Sequence, residues 1–250
     1  MSQLKSLIPA RFRPIGYLVD LVQRRTGKQV NSGPFRGMRY VEDSHGSCYI
    51  PKLLGIYERE LHGAVEQLIS WAPDLIIDAG AAEGYYAVGL ARRLPETRVV
   101  AFEMDDRGRT LLRQMSVENG VADRVECRGK CEAEAVEARV SSAQRPLVVC
   151  DTEGYERQLL DPQAAPSLAR SAILVELHDF IFEGTHELLV ERFSETHGIE
   201  RIWQEERSPS EFPYANWVTR MLPQFYRDFP LSEWRPVQMS WLVLRPRASA

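Results

Sequence analysis

Leu75-Ile76-Ile77-Asp78-Ala79-Gly80-Ala81-Ala82-Glu83-Gly84-Tyr85-Tyr86 decides the fold. A short apolar run ends in an acid, breaks at a glycine-bearing loop and passes into a helical pattern from Ala87 through Leu94. Strand, tight turn and helix in that order form a βα unit, and at such a turn the backbone N–H groups of the helix start face a ligand. The dinucleotide fingerprint needs three glycines. Counted from Gly80, its second place is Ala82 and its third is Tyr85, whose ring would hold helix and strand apart. The pattern present is Asp-x-Gly-x-x-x-Gly, from Asp78 to Gly84. A carboxylate two residues before the first glycine suits a ligand carrying an ammonium or sulfonium, not a pyrophosphate.

Outward from this stretch the chain alternates short apolar runs with amphipathic ones, the pattern of repeated βα units and a parallel sheet. The spacing predicts strands over Leu75–Ala79, Arg98–Phe102, Arg124–Arg128, Leu147–Cys150, Ile173–Leu177, Ile199–Gln204 and Ser240–Leu244. Helices are expected over Ala87–Leu94, Arg107–Asn119, Glu132–Val140, from Tyr155, and over Thr185–Thr196, the last ended by Gly198. This is a doubly wound, Rossmann-like α/β fold of seven mostly parallel strands, occupying residues 73–250. Residues 1–72 form an extension, with an amphipathic helix over Tyr57–Trp71 and a small β element over Gly33–Ile50. The aromatic- and proline-rich stretch Glu205–Val237 is an insertion before the last strand, and connections that long serve as lids or packing elements.

Composition narrows the function classes. At 250 residues with 44% hydrophobic and 26% charged residues, the chain is an ordinary globule with room for one well-buried domain. A formal charge of −4 gives no basic footprint, so no nucleic-acid partner is expected. Cys48, Cys127, Cys131 and Cys150 form no CxxC pair and read as small core residues of a cytoplasmic protein. No run suits stable membrane insertion. Lys5, Arg11, Arg13, Arg24, Arg25 and Lys28, interleaved with Leu7, Ile8, Phe12, Ile15, Leu18, Val19 and Val22, read as a docking helix with a solvated face, in preference to a helix lying on a membrane surface.

Ligands of open α/β sheets bind beyond the carboxyl ends of the strands, and the residues at those ends are informative. Glu103 follows the second strand and is placed to accept both ribose hydroxyls of an adenosine, with Met104 beside the adenine and Lys130 or Cys131 at its edge. With Asp78, Gly80, Ala82, Gly84 and Tyr85 in the first loop, S-adenosylmethionine is the expected cofactor. Asp151-Thr152-Glu153-Gly154-Tyr155-Glu156 follows the fourth strand, and Glu176-Leu177-His178-Asp179 ends the fifth. If the fourth strand lies between the first and fifth, Asp151, Glu153, Glu176 and His178 converge on one crevice.

The segments IIDAGAAEGYY, VVAFEMD, VVCDTEGYERQLL and ILVELHD resemble the FkbM-type branch of class I S-adenosylmethionine-dependent methyltransferases. The resemblance spans Leu75 to Asp179. It implies a last strand antiparallel to the rest, O-methylation of a hydroxyl, Asp78, Gly80 and Gly84 around the methionine part, Glu103 on the ribose and Asp151 near the sulfonium. Where that family often has asparagine, Ala82 stands, removing one polar contact. Lys52, Tyr57 and Glu58 in the extension are placed to reach over the cofactor.

The expected reaction is in-line methyl transfer to a hydroxyl of a small-molecule or sugar-containing acceptor, governed chiefly by alignment. His178 is the first candidate for the base, Asp151 or Glu153 the second. Glu58, Glu176, Tyr214 and Trp217 are candidate acceptor contacts. A variant of the same transfer uses a divalent cation such as Mg²⁺ on Asp151, Glu153 and Glu176. The competing classes are a non-catalytic cofactor-binding or assembly protein and an NAD-dependent oxidoreductase. A homo-oligomer is compatible with the sequence.

Overall fold

The computed structural model describes residues 13–41 and 48–247. Seven strands form one sheet: β1 (Leu75–Ala79), β2 (Arg98–Phe102), β3 (Val125–Arg128), β4 (Pro146–Cys150), β5 (Ala172–Leu177), β6 (His197–Trp203) and β7 (Ser240–Pro246). Their order is β3-β2-β1-β4-β5-β7-β6. β1 through β5 pair in parallel, while β7 runs antiparallel to both β5 and β6. This is the mostly parallel Rossmann-like α/β architecture expected from the alternating pattern. β1 and β4 are buried along nearly their whole length, as strands covered on both faces must be, which accounts for their continuous apolar runs.

The covering helices are α4 (Tyr85–Arg93), α5 (Asp106–Glu118), α6 (Ala133–Val140), α7 (Glu156–Leu159) and α8 (Thr185–Phe193). Asp105 caps α5, its carboxylate accepting the N–H groups of Arg107 and Gly108. α8 is shorter than its pattern implied. It stops at Phe193, and Gly198, read as the helix terminator, lies inside β6. The fully buried His197 starts β6, its Nε2–H donating to Ser171 O and its Nδ1 meeting Thr196 Oγ1.

The extension departs further from expectation. Its elements are α1 (Pro14–Thr26), α2 (Tyr49–Leu54) and α3 (His62–Ser70), with a 3-10 turn at Arg59–Leu61 before α3. Tyr57 and Glu58 therefore precede the helix rather than open it. No β element covers the described part of Gly33–Ile50; one isolated bridge joins Gln29 to Arg39, and Tyr49 already begins a helix. α1 buries Leu18 and Val22 and leaves Arg24 and Arg25 at its exposed end, as a docked amphipathic helix does. Lys5, Leu7, Ile8, Arg11 and Phe12 lie outside the described residues. Val30, Phe35, Met38, Leu53 and Leu61 share one apolar core with Ile76, Val88, Leu90 and Leu112, so the extension packs as part of the sheet domain. Phe35 seats against Gly89 of α4, where an added Cβ would fall 2.5 Å from its ring.

The antiparallel β6–β7 pair determines where the insertion goes. Trp203 ends β6 opposite Ser240, which starts β7 beside Leu177, the end of β5. The chain therefore leaves and re-enters the sheet at the carboxyl edge. Between them run a 3-10 turn at Pro209–Glu211 and two short helices, α9 (Trp217–Met221) and α10 (Gln224–Asp228).

Candidate active site

A cavity of about 870 Å³ opens at the carboxyl ends of β1, β2, β4 and β5, roofed by the insertion and the extension. A shallower depression of about 620 Å³ lies at the opposite ends of β1, β2 and β3, where Glu126 and Arg139 are already paired with each other. Two buried carboxylate oxygens without a hydrogen-bond partner, Asp78 Oδ2 and Asp151 Oδ1, belong to residues that line the first.

The β1 loop is built around close approach. Gly80 sits at φ +83°, and a Cβ there would come within 1.6 Å of the Asp151 carbonyl oxygen. Only glycine lets the β1 and β4 loops touch this way. Ala82 also adopts a left-handed conformation, φ +47°. Its N–H donates to Glu103 Oε2 at 2.8 Å, and Asp105 N–H donates to Glu103 Oε1 at 2.7 Å. The loop thus draws on a backbone donor at Ala82. Gly84, φ +97°, precedes α4 and packs toward Leu112, shaping the loop without lining the cavity.

Asp78 is the informative group. It is 3% exposed and lines the cavity, and its Oδ2 has no hydrogen-bond partner. Burial pushes its carboxyl up to about 7, against the Ala87 N–H, which lowers it; Asp151 and Glu103 add to the rise. A buried, unsatisfied carboxylate oxygen is costly unless a ligand meets it. Met104, 69% exposed, and Cys131, a thiol that burial pushes up to about 12, form neighbouring walls. Lys130 also lines this end, its Nζ 2.5 Å from Glu132.

After β4, Glu153 at φ +52° and Gly154 at φ +104° turn the chain sharply. The turn delivers the N–H groups of Thr152 and Gly154, and the Thr152 hydroxyl, to Glu156 Oε1 at 3.2, 3.0 and 3.1 Å. Glu156 is fully buried and meets His178 Nδ1 at 3.0 Å. On its other side, His178 Nε2 lies 3.3 Å from Glu153 and 3.7 Å from Asp151. Burial alone would lower the imidazole, yet hydrogen bonds to Glu153 and Glu156 and the charge of Asp151 raise it to about 10. His178 is therefore an imidazolium at neutral pH. A protonated ring has no lone pair to offer, which counts against His178, the first candidate, as the base. Burial raises Asp151 to about 6 despite the opposing pull of His178.

The roof holds residues that sequence reasoning did not single out. Arg235, just before β7, ion-pairs with Glu176, with Glu58 at 2.6 Å and with Glu233 at 3.1 Å, and lies over the Trp241 ring at 4.9 Å. Glu58 stands behind the cavity wall, holding Arg235 and accepting from the Tyr86 hydroxyl, rather than contacting an acceptor directly. Lys52 and Tyr57 line the cavity as expected. Lys52 Nζ reaches Glu83 at 2.7 Å, where Tyr40 also donates. Tyr85 lines it too, but its ring points into the extension, edge-on to Phe35, Tyr57 and Tyr40, and does not separate helix from strand. Tyr214 and Trp217 do not line the cavity; Tyr214 packs edge-on against Phe212, and Trp217 is 75% exposed. The carboxyl edge predicts Glu176, but only the β6–β7 topology brings in Arg235.

Among the described residues, Asp151, Glu153 and His178 are the group whose ligand atoms could hold a metal ion, all within 4.8 Å of one another. The set differs from the expected all-oxygen one: Arg235 engages Glu176, and the third donor is an imidazole, which binds a metal only after losing its proton.

The fold has counterparts among solved structures. A Clostridium thermocellum protein assigned as an rRNA methylase aligns over 76% of this chain and 97% of its own at 12% identity, with TM-score 0.50. A Klebsiella pneumoniae protein assigned as an O-methyltransferase aligns over 97% and 93% at 13% identity, TM-score 0.46. The B. subtilis tRNA methyltransferase TrmK aligns over 72% of this chain and 64% of that enzyme at 11% identity, TM-score 0.45. At these identities the likeness is one of fold. No family model and no curated protein matches the sequence. No helix among the described residues is long and apolar enough to cross a membrane.

Proposed function

We propose that this chain is an S-adenosylmethionine-dependent methyltransferase, of the FkbM type its motifs resemble, that O-methylates a hydroxyl of a small-molecule acceptor. The observation that carries this reading is Asp78: a buried carboxylate with one unpartnered oxygen, at the tip of β1 and open to the cavity. Such an oxygen fits the ammonium of the methionine part. Glu103, one strand over, fits the ribose, with its hold on the Ala82 N–H fixing the loop in between. A pyrophosphate would face Asp78, Glu103 and Asp151 together, which weighs against a dinucleotide.

When bound, the cofactor supplies an electrophilic methyl on a sulfonium sulfur. The residues of the chain align and deprotonate. Asp151 accepts the acceptor's hydroxyl proton as the oxygen–methyl bond forms and the sulfur–methyl bond breaks. His178, fixed by Glu156 and Glu153, puts its positive charge 3.7 Å from the Asp151 carboxylate and balances it. Calorimetric titration with S-adenosylmethionine and with NAD tests the reading. Binding of the first, weakened about tenfold to a hundredfold in Asp78→Asn, is expected from the loss of one charge-assisted hydrogen bond. Binding of NAD with no response to S-adenosylmethionine would overturn it.

A further inference from the structure

The cavity has two halves that differ in chemistry. The order β2-β1-β4-β5 places Glu103 and Asp78 on two adjacent strands and Asp151 and His178 on the next two. With neighbouring strands about 4.8 Å apart, Glu103 and the β5 tip are separated by roughly 14 Å. One half therefore takes the cofactor, and the other, beneath the roof, is left for the acceptor.

The floor of that second half is acidic. Asp151, Glu153, Glu176 and Glu233 line it together with two cations, His178 and Arg235. Glu156 and Glu58 stand directly behind those cations as their partners. Six carboxylates thus surround two positive groups, both of them committed. Among the described residues, the other cations lining the cavity are also paired, Lys52 with Glu83 and Lys130 with Glu132, so a carboxylate, sulfate or phosphate on the acceptor would have to compete with a carboxylate already in place.

The mouth above the floor is apolar. Phe180, Ile181 and Trp234 line the cavity while remaining 46%, 43% and 53% exposed, and Pro236 continues the same rim. Phe180 and Ile181 come from the loop after β5, Trp234 and Pro236 from the insertion, so two separate segments contribute apolar side chains to the same cavity. Trp234 is braced by Phe225 and Phe229, with ring centroids 5.7 and 5.5 Å away. Large apolar side chains gathered at a cavity mouth mark a binding surface more often than chance exposure.

We infer that the acceptor is an amphiphile. An uncharged or cationic hydroxylated end reaches the floor at Asp151, and an apolar body lies along Phe180, Ile181, Trp234 and Pro236. The inference rests on the methyl-transfer reading, which supplies the position of the reacting hydroxyl.

Its test uses hexyl glucoside, methyl glucoside and hexyl glucuronide, titrated calorimetrically into the full-length protein saturated with S-adenosylhomocysteine. Each methylene buried on the rim raises affinity about fourfold, so burial of three of the five that separate the hexyl and methyl compounds gives about sixtyfold. The glucuronide, anionic at the floor, binds about tenfold or more weakly than the neutral hexyl compound. Trp234→Ala, at an exposed position, shrinks the hexyl-to-methyl ratio and leaves the glucuronide discrimination unchanged. Equal binding of the hexyl and methyl glucosides, equal binding of the glucuronide, or no binding by any of the three up to their solubility limits overturns the inference. S-adenosylhomocysteine binding is read first: its absence sinks methyl transfer itself, whereas its presence with unselective glycosides sinks only the amphiphile.

Discussion

Replacing His178 by glutamine separates the imidazolium from the general base that the sequence suggested. The change keeps a hydrogen-bond donor but removes the positive charge lying 3.0 Å from Glu156, 3.3 Å from Glu153 and 3.7 Å from Asp151. Glu156 is fully buried, so its charge loses its counterion without gaining water. Truncating one partner of a buried pair costs about 3–5 kcal/mol, a large share of the ordinary stability of a domain. The pH dependence carries the sign. An imidazole raised from 6.5 to about 10 contributes stability that is complete below about 6.5 and lost as pH rises through about 10. Urea unfolding of both proteins therefore shows a gap of about 3–5 kcal/mol at neutral pH that narrows toward pH 10. The imidazole proton signals, followed by NMR, titrate in the same range. A His178 midpoint near 6.5, or a stability gap that stays constant up to pH 10, would refute the argument and restore the neutral base.

Cofactor affinity follows the ionisation of Asp78: it rises by up to about tenfold per pH unit as the pH climbs toward about 7 and then levels, while Asp78→Asn flattens the profile. Calorimetry across that range checks it, and an unchanged slope in the variant counts against Asp78 as the contact. Gly80→Ala destabilises by about 2–5 kcal/mol, from a left-handed alanine and a Cβ 1.6 Å from the Asp151 carbonyl. Gly84→Ala costs less, since its Cβ meets the Leu112 side chain at 3.1 Å; a reversed order in urea midpoints would be inconsistent with this packing. Arg235→Met strands Glu58, Glu176 and Glu233, costing about 3–5 kcal/mol at neutral pH. That deficit shrinks in mild acid, because burial already raises Glu176 and Glu233 toward protonation; a pH-independent deficit would point to packing instead.

The middle of the sheet was legible because β1, β2, β4 and β5 are buried nearly end to end and so read as apolar runs; β1 and β2 match their expected limits residue for residue. The crevice followed from strand order alone, since Asp78, Glu103, Asp151 and His178 each stand where a parallel strand ends. What escaped was pairing between distant segments. Glu58, Glu176 and Arg235 are far apart in the chain, and no periodicity announces that three such residues meet. Glu156 was visible in the Asp-x-Glu-Gly-x-Glu stretch, yet its role depends on a turn at Glu153 and Gly154 whose φ values the sequence leaves open. The protonation of His178 was hidden for the same reason, being a property of its three neighbours.

The insertion is fastened by its charges. Arg207 lies between Glu60 and Glu233 and Arg235 among Glu58, Glu176 and Glu233, all largely buried. Swinging that segment outward would separate ions with no solvent ready to receive them.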